Sequence, residues 1–143
     1  KITKTKCDIL FLEGWCCGSS EIPKKILHKN INNLEKIKDP KYQWRNFYNN
    51  KLKLEYKKLF KLFDELIFLK TSSFDNVFKW RLKQEKTNQS KNKKSKRMTS
   101  NEIKYFVQHY EKITKWMMKD LNKKAQIVIK FEKNHKISSI NFN

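Results

Sequence analysis

Cys7-Asp8-Ile9-Leu10-Phe11-Leu12-Glu13-Gly14-Trp15 decides the fold class of this chain. The apolar run is too short for a globular helix and closes on an acid and a glycine. It predicts a buried parallel strand within residues 1–14, with a carboxylate at its C-terminal tip. Open α/β sheets bind ligands just beyond the carboxyl ends of their strands, so Glu13 falls where such folds do their chemistry. Gly14 and Gly18 are the only glycines in 143 residues, and no G-x-x-x-x-G-K-[ST] loop occurs. A loop of that kind, which cradles nucleotide phosphates, would have to come from outside this chain.

Outward from this strand, Trp15 to Pro23 reads as a short connection whose Gly18-Ser19-Ser20 lets the backbone approach a ligand closely. Asn30 to Pro40 reads as a loop with a brief helical turn. From Lys41 a long helix is expected, because Trp44, Tyr48, Leu52, Tyr56, Leu59, Phe60, Phe63, Leu66 and Ile67 recur at steps of three and four. Leu66-Ile67-Phe68-Leu69 is apolar on all sides and could instead break away as a buried strand. Thr71-Ser72-Ser73 supplies a cap or turn before a second helix, Phe74 to Glu85. Lys86 to Arg97 has almost no apolar residue and predicts a mobile loop. Thr99-Ser100-Asn101-Glu102 is a capping box that opens a third helix with Ile103, Phe106, Val107, Tyr110, Ile113, Met117 and Leu121 on one face. Ala125 to Phe131 and Ile137 to Phe142 read as strands around a turn at Asn134-His135. The order is that of an α/β layer, helix-rich with two to four strands, in which part of the sheet is missing.

A chain of this length holds one domain, 1–143. The absence of an initiating Met before Lys1, with a strand close behind it, suggests the C-terminal part of something longer. No apolar run is long enough to span a bilayer and no signal peptide is evident, so a cytoplasmic protein without membrane contact is expected. The net charge of +20 resides almost wholly in dispersed lysines, with arginine only at 45, 81 and 97. Lysine accompanied by much Asn, Ile and Phe is what A/T-rich codons give, and a dispersed halo argues less for nucleic acid than a clustered stripe would. Cys7, Cys16 and Cys17 show no metal spacing and read as reduced thiols, Cys7 in the core.

Three positions stand out for chemistry. A carboxylate at a strand tip, Glu13, can hold Mg²⁺ or orient a substrate hydroxyl, and it can equally be a solvated strand end. Trp15 beside it can wall a pocket or fill the core. Arg81, kept as arginine in a lysine-rich chain just before the basic loop, suits bidentate phosphate contacts, or pairs with Glu85 one turn on. Arg45 has the same two readings. The loop from Lys86 could serve as a lid over phosphates, bind nucleic acid or be a solvated linker. His28, His109 and His135 suggest no metal site or triad.

Glu13-Gly14-Trp15, Gly18, Ile31-Asn32-Asn33-Leu34-Glu35, Asp39, Trp44-Arg45, Tyr48-Asn49, Tyr56, Leu59-Phe60, Asp64, Phe74, Val77, Trp80-Arg81 and Gln84-Glu85 together resemble the D-glycerate kinase-like P-loop kinases. Met98-Thr99, Glu102-Ile103, Phe106-Val107 and His109-Tyr110-Glu111 extend the resemblance towards the Ala125 strand, so it covers nearly the whole chain. That family stands with the uridine kinase-like and phosphoribulokinase-like enzymes. The resemblance implies the C-terminal part of an α/β P-loop kinase, lacking its Walker A half, that transfers the γ-phosphate of ATP with Mg²⁺ to a hydroxyl acceptor such as D-glycerate. Glu13 would be catalytic and near the metal. Gly14, Trp15, Gly18 and Arg45 would line the acceptor side, with the helices of 41–85. Arg81 would be catalytic and, with Gln84, serve the nucleotide from a lid continuing through 86–98, while 99–143 would close the domain. The upstream P-loop and a second acidic residue, the family's catalytic base, are absent. Ser19 stands where relatives often carry an aromatic, Ser72 or Ser73 where proline is common, and Lys112 where arginine is frequent. This chain alone is therefore expected to be inactive unless a separate P-loop-bearing polypeptide completes it. A basic nucleic-acid-binding module and a non-catalytic remnant are the alternatives.

Overall fold

In the computed structural model, residues 6–91 and 98–143 are described, the side chains of 89–91 excepted. Four short helical segments lead into a three-stranded sheet backed by two long helices. They are α1 (Lys24–Leu27), α2 (Asn33–Lys38), α3 (Gln43–Lys51) and α4 (Lys57–Phe60), then β1 (Ile67–Thr71), α5 (Phe74–Lys91), α6 (Ser100–Lys124), β2 (Ile127–Phe131) and β3 (Ile137–Phe142). The fold is mixed α/β and helix-rich, as the sequence predicts.

α6 organises the rest. Its capping box forms as expected: Thr99 Oγ1 accepts from the Glu102 amide at 3.2 Å, and Glu102 Oε2 accepts from the Thr99 amide at 2.7 Å. Two otherwise orphaned amides are satisfied there. Ile113, Met117 and Leu121 point one stripe at the sheet and pack with Leu52, Phe68, Ala125 and Val128 into the core. β1 and β2 run parallel with Phe68 opposite Val128, and β3 is antiparallel to β2. In parallel register Lys70 lies opposite Lys130.

Several expectations are corrected. Residues 7–14 form no strand and are exposed, Ile9 to 70 %, Leu10 to 87 % and Phe11 to 82 %. Among the described residues no strand lies beside this run, so its backbone groups have no ladder to join. Cys7 is exposed rather than in the core, its thiol directed at the Ile9 carbonyl at 2.9 Å. The helix from Lys41 starts at Gln43, passes through a π turn at Leu52–Tyr56 and ends at Phe60; Leu66-Ile67-Phe68-Leu69 does break away, into β1. One residue is accommodated in that π turn, which keeps Leu52 buried. α5 continues six residues past Glu85, so Lys86–Lys91 is helical rather than loop. Residues 92–97, the rest of the expected basic loop, lie outside the described residues, as do 1–5 of the expected first strand.

Candidate functional site

α6 brings Trp15 and Arg81 onto one strip. Phe106, Tyr110 and Thr114 are spaced by four, so they stack along one helix face over about 12 Å. The Trp15 indole N–H donates to Thr114 Oγ1 at 3.1 Å, and its ring meets Tyr110 edge-on at 4.5 Å. Tyr110 packs on Phe106 at 5.0 Å, and the Arg81 guanidinium lies 5.5 Å from the Phe106 ring centre. Gly14 makes the approach possible, because the Cys17 amide donates to its carbonyl at 3.3 Å and a Cβ at Gly14 would sit 2.7 Å from Cys17 Sγ.

Arg81 meets both of its sequence readings. Nη2 pairs with Glu85 at 3.2 Å, one turn on, and Nη1 donates to Gln84 Oε1 at 2.7 Å. Its Nε–H is buried with no partner, alone in this among the described side-chain nitrogens and oxygens. A buried donor without a partner costs about 1–3 kcal/mol. Gln84 is thereby positioned through Arg81. Glu85 in turn accepts from the Met98 amide at 3.2 Å, tying α5 to the start of α6.

Arg45 is placed elsewhere. It is fully buried between α1, α2 and α3, and its donors are taken by Asp39 Oδ2 at 2.8 Å, the Leu27 carbonyl at 3.2 Å, Glu35 Oε2 at 3.4 Å, the Glu35 carbonyl at 3.4 Å and the Asp39 carbonyl at 2.6 Å. No donor is left for a substrate, and the carboxylate partners lie ten and six residues upstream rather than one turn on. Burial alone would raise the Asp39 carboxyl, but hydrogen bonds from Arg45 and the Trp44 amide and the Arg45 charge hold it below the usual range. Lys112 joins through Glu35 Oε2 at 3.2 Å, and burial pushes its ammonium below the ordinary lysine value despite that carboxylate. This network fixes α2 and α3 against α6.

Gly18 adopts φ +79°, and a Cβ there would lie 2.6 Å from Leu66 Cδ2. It lines a cavity of about 670 Å³ with Ser20, Trp116, Lys57, Lys61 and Lys124, distinct from the Trp15 strip. Ser20 donates to Asp120 Oδ2 at 2.6 Å inside it. A second cavity, about 560 Å³, opens at the carboxyl ends of β1 and β2 among Lys70, Thr71, Ser72, Lys130 and Lys133. Burial and the charge of Lys130 lower the Lys70 ammonium. Trp80 donates to the carbonyl of Lys133, one of its lining residues, at 2.9 Å and stacks on His135 at 4.3 Å. Sequence reasoning missed the strip's Thr114 and this Lys70–Lys130 register pair. The four-residue steps signalled the first, but nothing in the sequence aligned β1 with β2.

Glu13 is exposed, with no hydrogen bond or ion pair among the described residues. Its carboxylate is a hard oxygen donor of the kind Mg²⁺ takes, but no group of three acidic, His or Cys side chains among the described residues could hold an ion. The residues present offer one ligand and not a self-sufficient metal centre. Among the described residues no helix is long and apolar enough to cross a membrane.

Comparison with solved structures decides the fold. A D-glycerate 3-kinase from Cryptococcus neoformans var. grubii matches 99 % of this chain with a TM-score of 0.72 at 19 % identity. The fold is glycerate kinase-like. The YGR205w protein matches 90 % of the chain with a TM-score of 0.57 at 22 % identity. The chain spans about half the length of these structures, 52 % of the first and 45 % of the second. No family model and no curated protein matches it. The glycerate kinase-like likeness is thus one of fold, and it coincides with the resemblance carried by Glu13-Gly14-Trp15 and Trp80-Arg81.

Proposed function

We propose that this chain forms the acceptor-side and lid half of a kinase that phosphorylates a small hydroxyl acceptor such as D-glycerate. The observation that carries the reading is the single strip on α6 on which both Trp15 and Arg81 pack, Trp15 against Tyr110 and Arg81 against Phe106. The glycerate kinase-like fold supports it. In this reading Trp15 and Gly14 wall the acceptor, and Arg81, held by Gln84 and partly exposed, turns its guanidinium to a carboxylate or phosphoryl oxygen. Glu13, adjacent to Gly14, orients the acceptor hydroxyl and contributes one oxygen towards Mg²⁺. ATP would supply the phosphoryl group, and its triphosphate would be held by a P-loop that this sequence does not contain.

Ligand-observed NMR of D-glycerate with the purified chain tests the acceptor half without requiring turnover. Saturation transfer is expected with the chain and is lost in Trp15→Ala and in Arg81→Ala, whose side chains are both partly exposed. Equal signals from all three proteins would overturn the reading. The chain alone is expected to give no ATP turnover, and Mg²⁺-dependent phosphorylation of glycerate by it would refute that expectation.

A further inference from the structure

The π turn at Leu52–Tyr56 decides which side chains share a face with buried Leu52. In an unbroken α-helix, at about 100° per residue, Lys57 and Lys61 would lie about 140° and 180° round from Leu52. The residue accommodated in the π turn winds them back by about 100°, to about 40° and 80°, and brings Phe60 within about 20° of Leu52. Lys57, Phe60 and Lys61 accordingly line the cavity of about 670 Å³ with Leu52. π turns inside helices are frequent at functional sites.

The facing wall comes from the segment after Gly18 and the C-terminal half of α6. Ser20 Oγ accepts from the Trp116 indole N–H at 3.3 Å and from the Lys124 ammonium at 3.2 Å while donating to Asp120 Oδ2 at 2.6 Å, which holds hydroxyl and indole in place. Lys124 is paired with Asp120 at 2.8 Å, and Glu21 adds one carboxylate to the lining. The Lys57 and Lys61 side chains make no ion pair or hydrogen bond among the described residues. Two ammoniums one turn apart are thus open to an anion, beside an apolar floor of Leu52, Phe60 and the Trp116 ring.

This cavity lies at the amino end of the strands. Gly18 packs against Leu66, the residue before β1, and Lys124 stands three residues before Ile127 of β2. Open α/β sheets take their reacting ligands at the carboxyl ends, where Lys70 and Lys130 line the other cavity. None of the Trp15 strip lines this one.

We propose that the cavity binds a small organic anion, separate from acceptor and nucleotide: a phosphate or carboxylate held between Lys57 and Lys61, on a flat apolar body that lies against Phe60 and Trp116. Its size suits such a ligand, small-molecule pockets being about 300–1,000 Å³, mostly apolar with a few placed polar groups. A bare inorganic ion would leave the apolar floor wet, and a neutral hydrocarbon would leave both ammoniums unused. The kinase reading is not needed for this assignment.

The test is titration of the ¹⁵N-labelled 143-residue chain with phenyl phosphate, benzoate, inorganic phosphate and benzyl alcohol, followed by amide and indole chemical shifts. Phenyl phosphate or benzoate, the tighter of the two identifying the oxyanion, shifts the signals of residues 18–21, residues 57–61 and the Trp116 indole saturably. A Kd on the order of 1 mM is expected for a ligand of about ten heavy atoms. Inorganic phosphate and benzyl alcohol, each holding half of that chemistry, bind at least about tenfold more weakly. Lys57→Gln with Lys61→Gln weakens binding by about tenfold or more, and arginine at both positions retains it. Lys53→Gln with Lys58→Gln removes equal charge from outside the cavity and leaves binding intact. All four lysines are exposed, so circular dichroism of the variants stays unchanged. The proposal is overturned if no saturable shifts appear, or if inorganic phosphate binds as tightly as phenyl phosphate. It is also overturned if both double variants weaken binding alike, since the +20 charge of the chain would then explain it. D-Glycerate shifting the same signals as strongly would make this the acceptor site and overturn it as a separate one.

Discussion

Replacing Arg45 by Met tests whether the network between α2, α3 and α6 is structural. Arg45 is fully buried and gives five N–H contacts to Asp39, Glu35 and the Leu27 carbonyl. Met fills similar volume but leaves the Asp39 carboxylate with only the Trp44 and Arg45 amides, each at 3.1 Å. Glu35 keeps Lys112 at 3.2 Å, so the loss falls mainly on Asp39. Removing one partner of a buried pair costs about 3–5 kcal/mol, a large share of the 5–15 kcal/mol that holds a typical domain together. At ~2–4 °C per kcal/mol for a chain near this size, Tm falls by roughly 10 °C. Urea unfolding read by tryptophan fluorescence and far-ultraviolet circular dichroism measures the change. Arg45→Lys serves where the Met variant is too unstable to purify; a lysine reaches one carboxylate but not the carbonyls together, so its loss is intermediate. A loss below about 1 kcal/mol, the range of exposed ion pairs, would refute the structural reading. If that small loss came with failure to bind glycerate, Arg45 would return to the acceptor site.

Gly18→Ala places a Cβ at positive φ and against Leu66, so a loss of at least about 1 kcal/mol is expected in the same urea assay; Gly18→Ala together with Leu66→Ala relieves the contact but keeps the backbone strain. The acid limb of the stability profile should carry Asp39: its lowered folded value gives stability that is present above the ordinary carboxyl value near 4 and is lost as pH falls through the folded value. Asp39→Asn flattens that limb at the expense of stability at neutral pH. Lys112 acts with the opposite sense, since its lowered folded value makes the charged form unfavourable in the fold; stability rises with pH between that value and about 10.4, and Lys112→Met removes the rise. An unchanged alkaline limb in Lys112→Met would contradict the burial argument.

What the sequence could and could not tell divides by where each element finds its partners. α6 was legible because its start is written in four consecutive residues and its face in a regular step, both local to the helix. Leu66-Ile67-Phe68-Leu69 left helix and strand both open, since an all-apolar run fits either; the decision came from β2, sixty residues away, through the Gln126 side chain that accepts the Leu66 amide at 2.9 Å. Arg81 with Glu85 was a one-turn pair and visible, whereas Arg45 with Glu35 and Asp39 spans ten and six residues and closes only when α2 folds back. α5 outran its apolar pattern because nothing in Lys86–Lys91 breaks a helix, although residues 86–88 are exposed. Residues 7–14 are the instructive failure. Their composition encodes burial on both sides, and a strand is a relation between neighbours rather than a property of one segment. The four exposed apolar residues at 9–12 and the exposed Leu69, Ile140 and Phe142 of β1 and β3 therefore have the same cause: both are surfaces patterned for contact that the described residues do not themselves supply.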